Sequence, residues 1–430
     1  MSMRVILAVL AAAALLAVLA GCGESGSAGG SPSAVPADVA AYVSVDTTFE
    51  GGQWRAVSEL LTRFPDGEGG LDELLDEKEL RDALGPEAVF AVLPGTVGSE
   101  AEPPVVMLTQ PDDLAAFERL LEEGDAARAE IRGWQVVAED EGVLDRYRQA
   151  LEGPSLEGSE AFAEAMEGLP EDALARIYAD GDALVELAPA HSGAQSPLGL
   201  LEGGARGSIG AALHAEDDGV RVEGRAVATD EAPVPVAYES ELVGRVPAGA
   251  IAFLSFNELG GALELLGGDF LPPGLGEVGS LLAGESAVYL NGKGDATLVT
   301  QVDDEAAALQ AVEALLGLAG EDVPVAVDAF DGFLAVSSSE RELAALRADA
   351  PRLADDDRFQ EAVDAAGMPA ETNGFGYVDV ESAAPLFHEE AAEASEYVEP
   401  LGGAVFWRPP SEDGQRFSLF LGIDQAASGR

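Results

Sequence analysis

The chain has 430 residues and a formal net charge of -56, from 79 acidic and 23 basic side chains. That surplus repels phosphate and excludes nucleic-acid binding, and a single cysteine excludes a disulfide-stapled scaffold. With 47% hydrophobic residues and a mean hydropathy of +0.11 the chain is not disordered as a whole, and its length points to two domains.

Arg4 is the lone charge ahead of an apolar run from Val5 to Ala20. At 16 residues the run falls short of the roughly 20 that span a bilayer. It ends in Leu19-Ala20-Gly21-Cys22, the pattern of a bacterial lipobox. Leu19, Ala20 and Gly21 suit the pocket of a signal peptidase, and the Cys22 thiol is the expected site of lipidation. Residues 1–21 then read as a signal peptide removed in the mature protein. A Gly/Ser-rich stretch follows, so 22–35 is expected to be the lipidated cysteine and a tether reaching roughly 20 Å.

Beyond the tether, two halves carry the same patterns in the same order. VPADVAAYVSVD (35–46) matches VPAGAIAFLSFN (246–257), and LGPEAVFAVLPG (84–95) matches LAGESAVYLNGKG (282–294). Four further segments follow suit, from 103–124 with 295–317 to 207–230 with 402–424. The organisation expected is a first repeat over 36–230, a linker over 231–245 interrupted by Pro233 and Pro235, and a second repeat over 246–425.

Ala40 to Asp46 and Ala250 to Phe256 read as short strands. Val89–Leu93 pairs with Val105–Thr109, and Ala287–Leu290 with Thr297–Gln301 through a turn at Asn291-Gly292 that supplies positive φ. Leu114, Phe117, Leu120 and Leu121 form an apolar helical stripe, and Leu309, Val312, Leu315 and Leu316 have the same spacing. Asp112-Asp113 and Asp303-Asp304 precede these helices as caps. Each half closes with a hairpin, turning at Glu216-Asp217-Asp218-Gly219 and at Glu412-Asp413-Gly414. Val220, Val222, Ala226 and Ala228 alternate with Arg221, Glu223 and Arg225, which predicts one buried and one wet face. The fold class expected is α+β, two tandem repeats, each a mainly antiparallel sheet with helices packed on one face.

Pro36, Ala37, Asp38, Tyr42 and Trp54, with the lipobox, give a pattern that resembles domain-of-unknown-function family 3352. The resemblance covers about 36–424 and implies an extracytoplasmic, non-enzymatic protein. It transfers no catalytic residue.

Residue chemistry points the same way. His191, His214 and His388 have no metal-ligand spacing, and no H-E-x-x-H or G-x-S-x-G occurs. Lys78 and Lys293 do not form an S-x-x-K pattern. Gly274, Gly276 and Gly279 satisfy G-x-G-x-x-G, but Pro272-Pro273 precedes them where a dinucleotide fingerprint needs a strand. Acidic runs at Glu139-Asp140-Glu141, Glu216-Asp217-Asp218 and Asp355-Asp356-Asp357, and Asp180-Gly181-Asp182, lack the order of a calcium loop, leaving weak divalent-cation binding. Trp134 aligns with Phe333 and is expected in a core, whereas Trp54 and Trp407 are candidates to line a pocket. The expectation is therefore no catalytic residue, no metal site and no cofactor. The protein would be held on the extracytoplasmic side of the cell membrane by lipid on Cys22. It would bind or scaffold an envelope protein; the alternatives are a carrier with an apolar pocket for a small solute or lipid, and a hydrolase.

Overall fold

The structure, a computed structural model, describes residues 30–65, 77–95, 103–121, 126–187, 207–228, 236–257, 284–319, 325–387, 395–411 and 416–424. Leu19, Ala20, Gly21 and Cys22 lie outside these residues, as do His191, His388, Gly274, Gly276, Gly279 and the 412–414 turn. The chain divides into two compact units between Ala232 and Pro233. Both mix helices with an antiparallel sheet.

In the first unit the elements run α1 (Ser31–Ala34), β1 (Ala41–Asp46), α2 (Gly52–Leu61), α3 (Glu77–Leu84), β2 (Glu87–Val92), β3 (Val105–Thr109) and α4 (Leu114–Leu121). Then come β4 (Ala127–Ile131), β5 (Trp134–Ala138), α5 (Glu141–Ala150), a 3-10 turn (Leu156–Gly158), α6 (Glu160–Ala165), β6 (Ala175–Asp180), α7 (Gly181–Leu187), β7 (Gly207–Glu216) and β8 (Gly219–Ala228). The strand order is β8-β7-β6-β1-β2-β3-β5-β4. The β4–β5 loop is the two residues Arg132 and Gly133, both at positive φ (52° and 82°), the geometry that matches strand twist.

The second unit begins with β9 (Tyr238–Glu239) and a 3-10 turn (Leu242–Gly244). It continues through β10 (Ala250–Asn257), β11 (Glu285–Asn291), β12 (Ala296–Gln301), α8 (Glu305–Ala319), β13 (Ala326–Phe330), β14 (Phe333–Ser337), α9 (Glu340–Arg347), a 3-10 turn (Leu353–Asp355) and α10 (Asp357–Ala366). The last elements are β15 (Glu371–Thr372), β16 (Phe375–Asp379), α11 (Val380–Phe387), α12 (Ser395–Val398), β17 (Leu401–Trp407) and β18 (Arg416–Ile423). Its strand order is β18-β17-β16-β10-β11-β12-β14-β13, with β9 and β15 as a separate short ladder. Numbered within its own unit, each sheet has the same order. The β13–β14 turn, Asp331-Gly332, also has positive φ at both residues (53° and 80°).

Helices are not confined to one face. In the second unit, Phe333 and Ala335 join Leu343 and Leu346 of α9 in the main core. Leu334, between them and so on the opposite face, packs with Ala308, Leu309 and Val312 of α8. In the first unit Val143, Leu144 and Tyr147 of α5 cover Tyr42, Val89, Leu108 and Val136. The alternate residues Val43, Phe90, Met107 and Val137 are buried too. Consecutive buried residues along a strand mean that both faces are covered, so the single-face expectation is corrected.

Other corrections are local. Arg225, expected on a wet face of β8, is buried and donates to Glu167 at 2.7 Å, while Ala226 is exposed. In α4, Ala116, Phe117 and Leu121 are buried but Leu114 is exposed, because Asp113 caps the helix and leaves Leu114 in its first turn. In the β11–β12 turn positive φ falls on Gly294, not Gly292, and the Asn291 side chain accepts from Lys293 and Asp295 N–H. The tether ends sooner than expected, since Ser31, Ala34 and Val35 are buried. The linker likewise ends before 245, since Leu242 is in the second core.

Candidate functional site

A buried polar cluster lies where α1 crosses the first sheet. Asp46 and Glu87 are cross-strand neighbours at one end of β1 and β2, and Ser44 stands beside Arg176 of β6. Tyr42 follows on the same face, two residues along from Ser44. α1 lays Ser31, 1% exposed, against them. The Ser31 hydroxyl donates to Glu87 Oε1 at 2.8 Å. Its oxygen lies 2.7 Å from the Tyr42 hydroxyl, which then serves as donor to Ser31. Three polar atoms on this part of the unit, Glu87 Oε2, Arg176 Nε and His214 Nε2, have no hydrogen-bond partner among the described residues.

Burial dominates the electrostatics. Glu87 is 5% exposed, and its carboxyl is pushed up to about 7 by desolvation, with Asp46 adding to the rise. The hydrogen bond from Ser31, the neighbouring Ser44 hydroxyl and the charge of Arg176 oppose that rise. Tyr42 is pushed up to about 12 by burial and by the neighbouring Glu87. The Asp46 carboxyl is raised by burial against hydrogen bonds from Thr48 and Trp54. So placed, Glu87 can hold or release a proton near neutrality, but it presents almost no surface to a substrate.

The second unit has a matching carboxylate. Glu285 opens β11 as Glu87 opens β2. It accepts from the hydroxyls of Ser240 and Ser255 (2.8 Å for the latter) and from the backbone N–H of Glu241 (2.8 Å) and Leu242 (3.2 Å).

A second feature is an apolar row across the other face of the second sheet. Register places Val336, Leu298, Val288, Leu254, Gly376, Phe406 and Leu419 side by side on seven strands. Leu254 is 47% exposed, Phe406 37% and Val288 36%. The row at the same register in the first unit, Val137-Met107-Phe90-Val43-Ile177-Ala211, is buried throughout.

Residues singled out from sequence mostly have structural roles. Asp140 caps α5, Asp356 caps α10 and Asp180 accepts from Ala183 N–H at the start of α7. Trp134, Phe333 and Trp407 are core residues. Trp54 donates to Asp46 at 3.1 Å and packs against Phe49 with the rings tilted at 50°. Among the described residues no group of three or more His, Cys, Asp or Glu is arranged to hold a metal ion. Among them, too, no helix is long and apolar enough to cross a membrane. Sequence reasoning missed the Ser31–Tyr42–Glu87 cluster. The only signal was a glutamate at the head of an apolar strand in both halves.

No family model matches the chain, and no curated protein matches it. Solved structures of the protein TP0453 are similar in part. Its crystal form IV is 12% identical over 40% of this chain and 75% of that chain, with a TM-score of 0.24. Crystal form I is 13% identical over 46% and 95%, with a TM-score of 0.24. Crystal form III is 8% identical over 73% and 96%, with a TM-score of 0.22. At these scores nothing is carried over from it.

Proposed function

We propose that the chain is a lipid-anchored, extracytoplasmic protein of the bacterial cell envelope that binds or scaffolds an envelope partner and catalyses no reaction. The observation that carries this reading is Cys22, the one cysteine in the chain, set directly after an apolar run and Leu19-Ala20-Gly21. Two acyl chains on that residue would suffice for stable anchoring. The described part of the chain begins close behind this site in sequence, with α1 at Ser31. Asp140 and Asp356, each from an acidic run weighed for cation binding, support the non-catalytic part, because both are engaged in helix caps. The charge of -56 supports a partner that is neither nucleic acid nor an anionic surface. The resemblance to domain-of-unknown-function family 3352 belongs to the same reading.

The two units are read as tandem repeats of one α+β module. Identical strand order supports duplication, as do the paired turns at Arg132-Gly133 and Asp331-Gly332 and the paired carboxylates Glu87 and Glu285.

Expression of the full chain in a bacterium with labelled palmitate tests the anchor. The wild type is expected in the membrane fraction carrying label, and Cys22→Ser is expected to be unlabelled and released. Label persisting on Cys22→Ser overturns the reading.

The open row around Leu254, Val288 and Phe406 favours a second reading, a carrier for a small apolar solute or lipid. Native mass spectrometry of the purified chain separates the two. An apo mass is expected for a scaffold, and a co-purifying lipid would put the carrier first.

A further inference from the structure

We propose that Glu87 and Ser31 form a proton-controlled latch that holds the N-terminal strap, Ser31 to Pro36, on the first unit while Glu87 is protonated and loosens it when Glu87 ionises.

The argument starts from the matching carboxylate. Glu285 receives two backbone N–H groups, from Glu241 and Leu242, the residues that follow Ser240. In the first unit the residue that follows Ser31 is Pro32, which has no N–H to give. The next amide, Ser33 N–H, turns to Gly30 O at 3.0 Å. Glu87 Oε2 is consequently left without a partner. A buried oxygen without a donor penalises the charged carboxylate far more than the neutral acid.

The surroundings add little positive charge. On β1, the Ser44 hydroxyl favours the ionised form, but Tyr42 is a neutral phenol and Asp46 a carboxyl that repels a second negative charge. Among the described residues Arg176 on β6 is the cation that stabilises ionised Glu87, and His214 on β7 is a further ionisable side chain on this part of the unit. α1 brings only the hydroxyl of Ser31, whose hydrogen bond favours the ionised form but is outweighed by burial. Ionised Glu87 therefore gains by reaching water, and the strap covers it. The strap has other ties, from Tyr147 Oη to Ala34 O, from Arg132 to Ser33 O at 2.7 Å, and from Leu156 N–H to Val35 O at 2.8 Å. These make the change an opening equilibrium, not unfolding. The strap is the first described segment after Cys22, so opening it frees more chain next to the lipid-bearing residue. Only that last consequence rests on the lipid-anchor reading; the latch itself does not.

Hydrogen exchange on the purified full chain tests it. The reporters are the amides of Ala37, bonded to Pro154 O, and Leu156, bonded to Val35 O. After correction for intrinsic rates, their opening is expected to rise on the order of 50-fold between pH 5 and pH 8, levelling off above pH 7. Glu87→Gln, which cannot ionise, is expected to abolish the rise. Pro32→Ala, which restores an N–H, is expected to shrink it, and Glu285→Gln to leave it intact. Opening that does not change with pH in the wild type overturns the latch, as does an equal rise in Glu87→Gln. Because Glu87→Gln is read against Pro32→Ala and Glu285→Gln, a general loss of stability cannot imitate the pattern. An unlipidated Cys22 would leave the exchange result standing.

Discussion

Phe359 meets Tyr377 edge-on, with ring centroids 5.1 Å apart and planes at 90°. Phe162 and Tyr178 make the same contact in the first unit, at 5.3 Å and 72°. In each case the phenylalanine stands three residues after the helix-capping residue, Asp356 or Ser159, and the tyrosine is on the strand next to the unit's first long strand. The pair ties one helix of each unit to the centre of its sheet.

Truncating Phe359 removes a buried ring and leaves a cavity that rigid strands cannot close. Phe359→Ala is expected to destabilise the second unit by about 3–5 kcal/mol. Phe162 is only half-buried, so Phe162→Ala is expected to cost the first unit less. Urea titrations of both variants check the ranking, and equal losses would contradict it.

Phe90 and Val288 hold the same register position in the two sheets, yet one is buried and the other is 36% exposed. Phe90→Ala is expected to cost about 3–5 kcal/mol. Val288→Ala is expected to cost less than about 1 kcal/mol. Denaturation midpoints of the two variants decide the point.

The strands were legible because their signals are local. β2 pairs with β3 and β11 with β12 as their apolar runs indicated. Trp134 and Phe333 are both buried, as their alignment indicated. The helices were less legible for a geometric reason. Sliding an apolar stripe by four residues is one turn and keeps the pattern, so Leu114 was matched to Leu309, whereas the caps match it to Glu305. Of the Glu87 cluster only the glutamate at the head of an apolar strand was legible. Its donor, Ser31, is 56 residues away in a stretch whose composition reads as tether. Coverage of both sheet faces was hidden for the same reason, since periodicity within a strand says which residues alternate but not what packs above them.

A chain cut at Ser33 loses the Ser31 hydroxyl and leaves Glu87 with one donor fewer. Compared with a chain beginning at Gly30, it is expected to be less stable by about 1–3 kcal/mol. Thermal melts of the two chains check this, and identical melting would mean that water replaces Ser31 without cost.

Glu87 also sets the sign of a pH effect on global stability. Its carboxyl is raised from an ordinary 4.5 to about 7 in the folded chain. The folded state therefore binds the proton more tightly than the unfolded state. Its contribution is fully present below about pH 4.5 and is lost as pH rises to 7, after which it changes no further. The shift corresponds to about 3 kcal/mol. Burial raises Asp46 as well, which acts in the same direction at lower pH. The wild type minus Glu87→Gln difference isolates Glu87 from the many exposed acids, because both chains carry those. That difference, read from urea titrations at pH 5 and pH 8, is expected to fall by about 2–3 kcal/mol at the higher pH. A difference that stays constant would place Glu87 in the ordinary carboxylate range and remove the physical basis for a latch.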